Sequence, residues 1–582
     1  MASIKSVFPE DFFVPGIDQG LYFVPGQNLK VRYSSPARVS YLAPTSYAGH
    51  RLMSHKRLSN WDGWKKSVVM PTILAVVENA TFDRLGLKVH DKYLLSGAVG
   101  DRLFKNYPAK GPECSGKRPG AALQEWMRTN SFRPAEPPSE YQEDYADLDF
   151  IVPAKNFYNF YHFTREALHF LALYRKFRLS GRILIYANGK TELGFVRESV
   201  QTWYSDIADR VELRRYEKEP AKFERCLIPY HTNFLYFQSR DKVMKSIGGV
   251  GRTASRDPKG NNVRSLHINS IESTLADFQR AARKKIAPRR RDRRLYVIRK
   301  SSRVRRAVGE RDLIAKLRKI GFEVVAFEDY SNFEQARMVA EAEVVVGIHG
   351  AGMANMIFAP RGCHVIELSN LQTIEKRFGD FNGFAIASDL NYHHIILDHD
   401  FSDADNPTRV PKISVDGHRG VVLDQFSMDA LYSYILGMLE ADTLAALLST
   451  GEALNSSKDM PALRDFLEAN RARLMHEVEP HIWRANVSNW EGDRDGVLLH
   501  LMHALRFAPR RSRLIRRILT VAHERQDFDA FDEALQHLRH CEPDSIVPLF
   551  RERGWPLRSE DETNANHSAD RSDKDESDQS KS

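Results

Sequence analysis

The twelve residues VVVGIHGAGMAN (344–355) decide how this chain is read. A run of β-branched residues reads as a buried strand, and it passes through a glycine turn straight into a helical pattern. Gly350 and Gly352, on either side of Ala351, let the backbone approach a ligand closely and take up left-handed angles. A helix beginning there points unpaired N–H groups and a partial positive charge at whatever occupies the turn. In open α/β sheets this carboxyl end of a strand is where ligands bind. A pyrophosphate is the natural guest, with His349 beside it and Asn355 inside the helix; a tight turn without a ligand is the alternative. The spacing is not a dinucleotide fingerprint, because the third glycine and the distant acidic residue are out of register. Glu367, in HVIEL (364–368), is closer and suits a ribose hydroxyl.

Working outward, LYVIR (295–299), EVVAFE (323–328), EVVVGI (343–348) and HVIEL read as strands. GERDLIAKLRKIG (309–321), NFEQARMVAEA (332–342) and AGMANMIFA (351–359) read as the helices between them. HHIILD (393–398) and MDALYSYILGMLEA (428–441) close this α/β unit, placed at 286–445. Ser331 with Glu334 forms a capping box, expected to stabilise its helix by roughly 1 kcal/mol. A second α/β unit is expected over 61–285. Strands at 150–152 and 182–186 flank a long helix over 159–177, which is the βαβ signal of a parallel sheet. Residues 67–95 read as strands with turns, 239–292 as a polar loop leading into a helix at 270–286, and 1–60 as irregular structure packed on a neighbour. From 446 to 556 the pattern is helical and resembles degenerate tetratricopeptide repeats. The tail, 557–582, lacks apolar residues and is expected to be disordered and acidic.

The chain has 582 residues, 42% hydrophobic and 28% charged, which suits several globular domains rather than global disorder. A net charge of +9 favours anionic partners without choosing among them. The sequence has no run of the roughly 18 apolar residues a membrane span needs, and its first residues lack a secretory pattern. The four cysteines form no CxxC pair. These features predict a cytoplasmic protein without a disulfide framework.

Two clusters carry candidate chemistry. Around RRLYVIRKSSRVRR (293–306), cations surround a strand exit. Arginine binds phosphate oxygens bidentately, so Arg299 and Arg303 are assigned to a ligand at the glycine turn. A solvated basic loop is the alternative, and 289–294 is read that way. In NFYNFYHFTREALHF (156–170), His162, Glu166 and His169 recur on one helical face. A histidine oriented by a carboxylate one turn later suits a general base for a sugar hydroxyl, against a packed aromatic helix with one hydrogen-bonded histidine. Four Asp-x-Asp tripeptides begin at Asp147, Asp398, Asp403 and Asp527, but none closes a strand beside the glycine turn. A bound metal is not expected.

These residues resemble glycosyltransferase family 61, which includes bacterial capsular-polysaccharide enzymes, plant xylosyltransferases and animal O-linked N-acetylglucosamine transferases. The likeness rests on the arginine-rich strand exit, GFEVVAFEDYSNFEQ and VVVGIHGAGMANMIFAPRGCHVIEL, and on NFYNFYHFTREALHFLALYRKF upstream. The resemblance implies a GT-B-like pair of Rossmann-like domains, here with a C-terminal all-helical region, and inversion at the anomeric carbon. It places His162 and Glu166 at the acceptor, and Arg299, Arg303, His349, Gly350, Ala351, Gly352, Asn355 and Glu367 at the donor. It departs from the family at Gly309-Glu310, where Asn-Glu is usual.

The expected function is therefore metal-independent sugar transfer, without a cofactor, from a nucleotide-sugar to a hydroxyl of an oligosaccharide, lipid-linked glycan or protein. The setting expected is bacterial surface polysaccharide synthesis, in the cytoplasm or docked on the inner membrane face. The C-terminal helices are open to a protein partner, and no nucleic acid is expected. The rival readings are a non-catalytic nucleotide-binding scaffold and, ranked lower, a nucleic-acid-binding protein using the arginine-rich stretch.

Overall fold

The computed structural model describes residues 11–556 except 36, 55–66, 84, 98, 101–102, 104–136, 155–158, 188–193, 216–218, 233–269, 301–305, 378, 402, 404–405 and 407–408. The tail 557–582, most of the loop expected within 239–292, and Arg303 thus lie outside the described residues.

Among the described residues, two eight-stranded sheets, a small three-stranded sheet and a helical region form the architecture. In the first sheet, β8 (Phe150–Pro153), β9 (Ile183–Ala187) and β10 (Val211–Arg215) run parallel, and β8 also pairs in parallel with β11 (Ala221–His231). β11 then pairs antiparallel with β5 (Thr72–Phe82), which continues antiparallel to β6 (Leu87–Val89) and β7 (Lys92–Tyr93), while β1 (Leu21–Phe23) also lies on β5. This sheet is mixed rather than the purely parallel sheet a Rossmann unit implies. The extension is dictated by β5, whose eleven residues TILAVVENATF are too apolar to leave at a solvated edge.

The second sheet is the regular one. Its parallel strands are ordered β15 (Phe322–Ala326), β13 (Arg293–Ile298), β16 (Ala342–Ile348), β17 (His364–Asn370) and β18 (Asn391–His399). Their Val- and Ile-rich runs are buried on both faces, as a sheet covered by helices requires. β18 is flanked by β3 (Arg38–Leu42), parallel to it, and by the short β19 (Val421–Val422), antiparallel to it; β19 in turn carries β14 (Ala307–Val308). The first sixty residues are therefore not merely irregular. They supply β1 and β3 to the two large sheets, and β2 (Arg32–Ser34) to a small sheet with β4 (Ser67–Met70) and β12 (Ser270–Glu272). One apolar cluster runs from Phe150 and Phe163 through Trp203 and Phe278 to Phe358 and Phe384, so the two α/β units share a core.

The expected helix over 159–177 is broken. It runs Phe160–Glu166, passes through a 3-10 turn at Leu168–Phe170, and resumes at Leu171–Lys176. Ala167, at φ −141°, is the break. Ser331 and Glu334 do make the reciprocal capping box. Gly309 has φ +85°, and a Cβ there would lie 2.5 Å from the Leu423 carbonyl oxygen. That contact, with the left-handed φ, requires a glycine at this position.

From Gln425 onward the described chain is almost wholly helical, with neighbouring helices such as Val478–Glu491 and Arg494–Phe507 sharing their own core. Among the described residues no single helix is long and apolar enough to cross a membrane; Gln425–Leu439 and Ala441–Ser457 reach that composition only together, across a 111° bend.

Candidate active site

The register of the second sheet builds one wall of the site. Val297 of β13 lies beside Gly347 of β16, so Arg299, two residues past that pair, stands beside His349. Its Nη2 donates to the His349 carbonyl oxygen at 3.1 Å. Gly350 makes this possible: a Cβ there would fall 1.2 Å from Nη2 and 2.4 Å from Cζ of Arg299. Its backbone is extended, at φ 172° and ψ 175°. The glycine is thus needed for a guanidinium to lie across the turn, not for a left-handed angle. Burial lowers the pKa of this guanidinium, with Glu328 opposing the shift.

Beyond the turn the chain forms an eight-residue 3-10 helix, Ala351–Phe358, instead of the α-helix expected. Its first bond is from Met353 N–H to the Gly350 carbonyl at 2.9 Å, so the N–H groups of Ala351 and Gly352 precede the helix's own ladder. Gly350, Ala351 and Gly352 all line a cavity of about 750 Å³, with Arg299 and His349. Asn355 does not reach it. Its Nδ2 donates to Gln335 Oε1 at 3.0 Å and to the Gly352 carbonyl at 3.3 Å, so it braces the turn from beneath.

Glu367 also departs from the expected role. It is 2% exposed, and its oxygens accept from His349 Nδ1 at 2.6 Å and from the Tyr392 hydroxyl. Burial alone would raise its pKa, but His349, His394 and the Tyr392 bond outweigh it and hold the carboxyl at about 2. Glu367 is therefore a buried carboxylate that orients the His349 ring, with each oxygen engaged by a neighbouring side chain.

The facing wall is the helix Phe160–Glu166. Asn159 caps it, its Oδ1 accepting from Tyr161 N–H at 2.9 Å. His162 lines the cavity, 24% exposed, while Glu166 sits behind it with Oε1 2.5 Å from His162 Nδ1. A proton on Nδ1 donated to the carboxylate leaves Nε2 as the acceptor nitrogen. His169 is not on this face. The break at Ala167 turns it inward, where Nδ1 meets Thr274 Oγ1 at 2.8 Å and Nε2 donates to the Arg165 carbonyl at 2.9 Å. Burial pushes its pKa down to about 4, so it is a neutral packing group.

Several members of the site were not found by the sequence reading. Tyr161 donates to the Asp380 carbonyl at 2.6 Å and packs on Phe381, whose centroid is 5.0 Å away. Phe381 in turn packs on His349 at 5.2 Å. The turn holding Arg377, Asp380 and Phe381 therefore closes the cavity between the two histidines, and burial pushes the Asp380 carboxyl up. Beneath the helix, Arg165 pairs with Glu272, which also accepts from His231 Nε2 at 2.6 Å. The Arg165 charge and the His231 hydrogen bond outweigh burial and hold Glu272 well below the ordinary carboxylate range. The signal that could have pointed to the turn is Gly379 and Gly383 bracketing an Asp-Phe pair: Gly379 has φ +85°, and a Cβ added at Gly383 would lie 3.4 Å from Arg165 Nε.

The cavity thus joins a histidine–carboxylate dyad on one side to an arginine, a glycine turn and a second dyad on the other. The first can accept a proton; the second can hold an anion. No curated protein matches the chain. Residues 160–366 match the model of the Glycosyltransferase 61 family. That stretch begins at the first residue of the His162 helix and ends within β17, one residue before Glu367. This part of the chain is thus similar to glycosyltransferase family 61, and the matched region holds both cavity histidines, Arg299 and the glycine turn.

Proposed function

We propose that this glycosyltransferase moves a sugar from a nucleoside diphosphate donor to a hydroxyl acceptor with inversion and without a metal. The single observation that carries the reading is the cavity shared by His162, Arg299 and the His349–Gly352 turn. The donor diphosphate lies at the turn, held by Arg299 and the N–H groups of Ala351 and Gly352. His162 Nε2 takes the acceptor proton, the acceptor oxygen bonds to the anomeric carbon, and the bond from that carbon to the diphosphate breaks with its electron pair leaving on the phosphate. Arg299 opposes the charge that develops there, and Glu166 keeps the His162 tautomer and supports the imidazolium that forms. The pair of α/β units is read as a GT-B arrangement with a mixed first sheet. A carbohydrate acceptor in bacterial surface polysaccharide synthesis, at the cytoplasmic side of the membrane, fits this chemistry.

The test is nucleotide release from a panel of UDP-, GDP- and CMP-sugars by protein treated with EDTA, with the anomeric configuration of the product read by NMR. Turnover with inversion is expected for one of the diphosphate donors and none for the CMP-sugars. Strict dependence on a divalent metal, or retention, overturns the mechanism.

A further inference from the structure

Far along the chain from this cavity, the helical region brings together three histidines that the sugar-transfer reading does not use. We propose that His481, His500 and His503 form a transition-metal site of the zinc class. His500 and His503 stand at i and i+3 on the helix Arg494–Phe507, and His481 comes from the adjacent helix Val478–Glu491. One ligand atom from each ring lies within 4.8 Å of the others. Imidazole nitrogens around a tetrahedral zinc ion are about 3.3 Å apart, given bond lengths of about 2.0 Å, so modest ring rotations close the triad.

The hydrogen bonding selects this reading over simple packing. His481 is 1% exposed, and its Nε2 donates to the Met475 carbonyl at 3.0 Å. That bond fixes the proton on Nε2 and leaves the Nδ1 lone pair available, the hydrogen-bonding pattern that orients metal-ligating imidazoles. Nδ1 of His481 and Nδ1 of His500 are both buried and have no hydrogen-bond partner among the described residues. Buried ring nitrogens are ordinarily satisfied, and a shared ion would satisfy these two at once.

Phe426 packs on His503 at 4.4 Å and on His481 at 6.0 Å, while Phe507 stacks on His481 at 5.6 Å, so the site has an apolar wall. Its charged surroundings are mixed. Arg471, Arg484 and Arg506 oppose a cation, whereas Asp424, Glu468 and Asp493 favour one. Attraction is therefore left to the imidazoles, which favour zinc, copper or nickel over magnesium or calcium. None of the three lines the sugar-transfer cavity, so the ion would tie the two helices together instead of taking part in transfer.

The full chain, stripped with chelator and dialysed, is titrated with Co²⁺. One equivalent is expected to give a visible d–d band that Zn²⁺ abolishes. The His500→Gln/His503→Gln double variant, altered at two partly buried positions, is expected to bind Co²⁺ at least tenfold more weakly while keeping its helical circular dichroism. No band in the wild type, or unchanged affinity in the double variant, overturns the proposal. Should the double variant not fold, zinc-edge X-ray absorption on the wild type decides. Three imidazole nitrogens are expected, and a shell with fewer than three overturns the site.

Discussion

Gly350→Ala isolates the contact on which donor binding rests. The glycine's backbone is extended, so alanine meets no conformational penalty there. Its Cβ, however, would fall 1.2 Å from Arg299 Nη2 and 2.4 Å from Cζ. The clash is with the far end of a flexible side chain, so the guanidinium swings away and the fold survives. What disappears is the Arg299 bond to the His349 carbonyl and, with it, the cation placed at the turn. A hydrogen bond to a charged group contributes about 1.5–3 kcal/mol, which corresponds to a roughly 10- to 100-fold loss of nucleoside diphosphate affinity. The melting temperature of the unliganded protein should change little. The assay is isothermal calorimetry with the cognate diphosphate on wild type, Gly350→Ala, Arg299→Ala and the double variant. Because the alanine acts only by displacing Arg299, the cycle must be strongly non-additive: Gly350→Ala in the Arg299→Ala background should cost less than about threefold. Additive losses would refute the reasoning, since they would mean that the glycine serves the ligand independently of the arginine.

Replacing His162 with alanine should lower kcat by about 10²- to 10⁴-fold while diphosphate affinity stays near wild type; turnover close to wild type would remove it as the base. Glu272→Gln takes away the buried partner of Arg165 and His231, and urea unfolding should show a loss of about 3–5 kcal/mol. A loss under 1 kcal/mol would show that water already reaches that cluster. His169 sets a pH dependence: its folded pKa is about 4, against about 6.5 when unfolded. The unfolded chain takes up this proton first, so the stabilising contribution is complete above pH 6.5 and is lost as pH falls toward 4. Unfolding curves at pH 7 and pH 4 should differ by roughly 3 kcal/mol more in the wild type than in His169→Gln. Equal differences in both proteins would contradict a neutral, buried His169.

The parts of the site that could be read in the sequence are those where strand pattern fixes position. LYVIR and EVVVGI are apolar enough to be neighbouring parallel strands, and their pairing is what sets Arg299 beside His349. The role of Glu367 was hidden for the opposite reason. β17 is buried on both faces, so the residues around Glu367 give no alternation to show that it points beneath the turn instead of into the cavity. The face shared by His162, Glu166 and His169 assumed an unbroken helix, yet nothing in the run FTREALHF marks the irregular Ala167 that turns His169 inward. Asp380 and Phe381 meet Tyr161 across more than two hundred residues of chain, a contact made only by tertiary packing. The strands of the first sixty residues were likewise illegible: RVSYL is short and half-polar, and it becomes a strand only because β18 offers it a parallel partner.

A crystal structure with the cognate nucleoside diphosphate, grown in the presence of EDTA, measures the central claim directly. The account predicts phosphate oxygens about 3 Å from the Arg299 guanidinium and from the N–H groups of Ala351 and Gly352, with His162 facing the open side of the phosphate. A diphosphate bound elsewhere, or one that occupies the cavity with Arg299 turned away from it, would contradict the account.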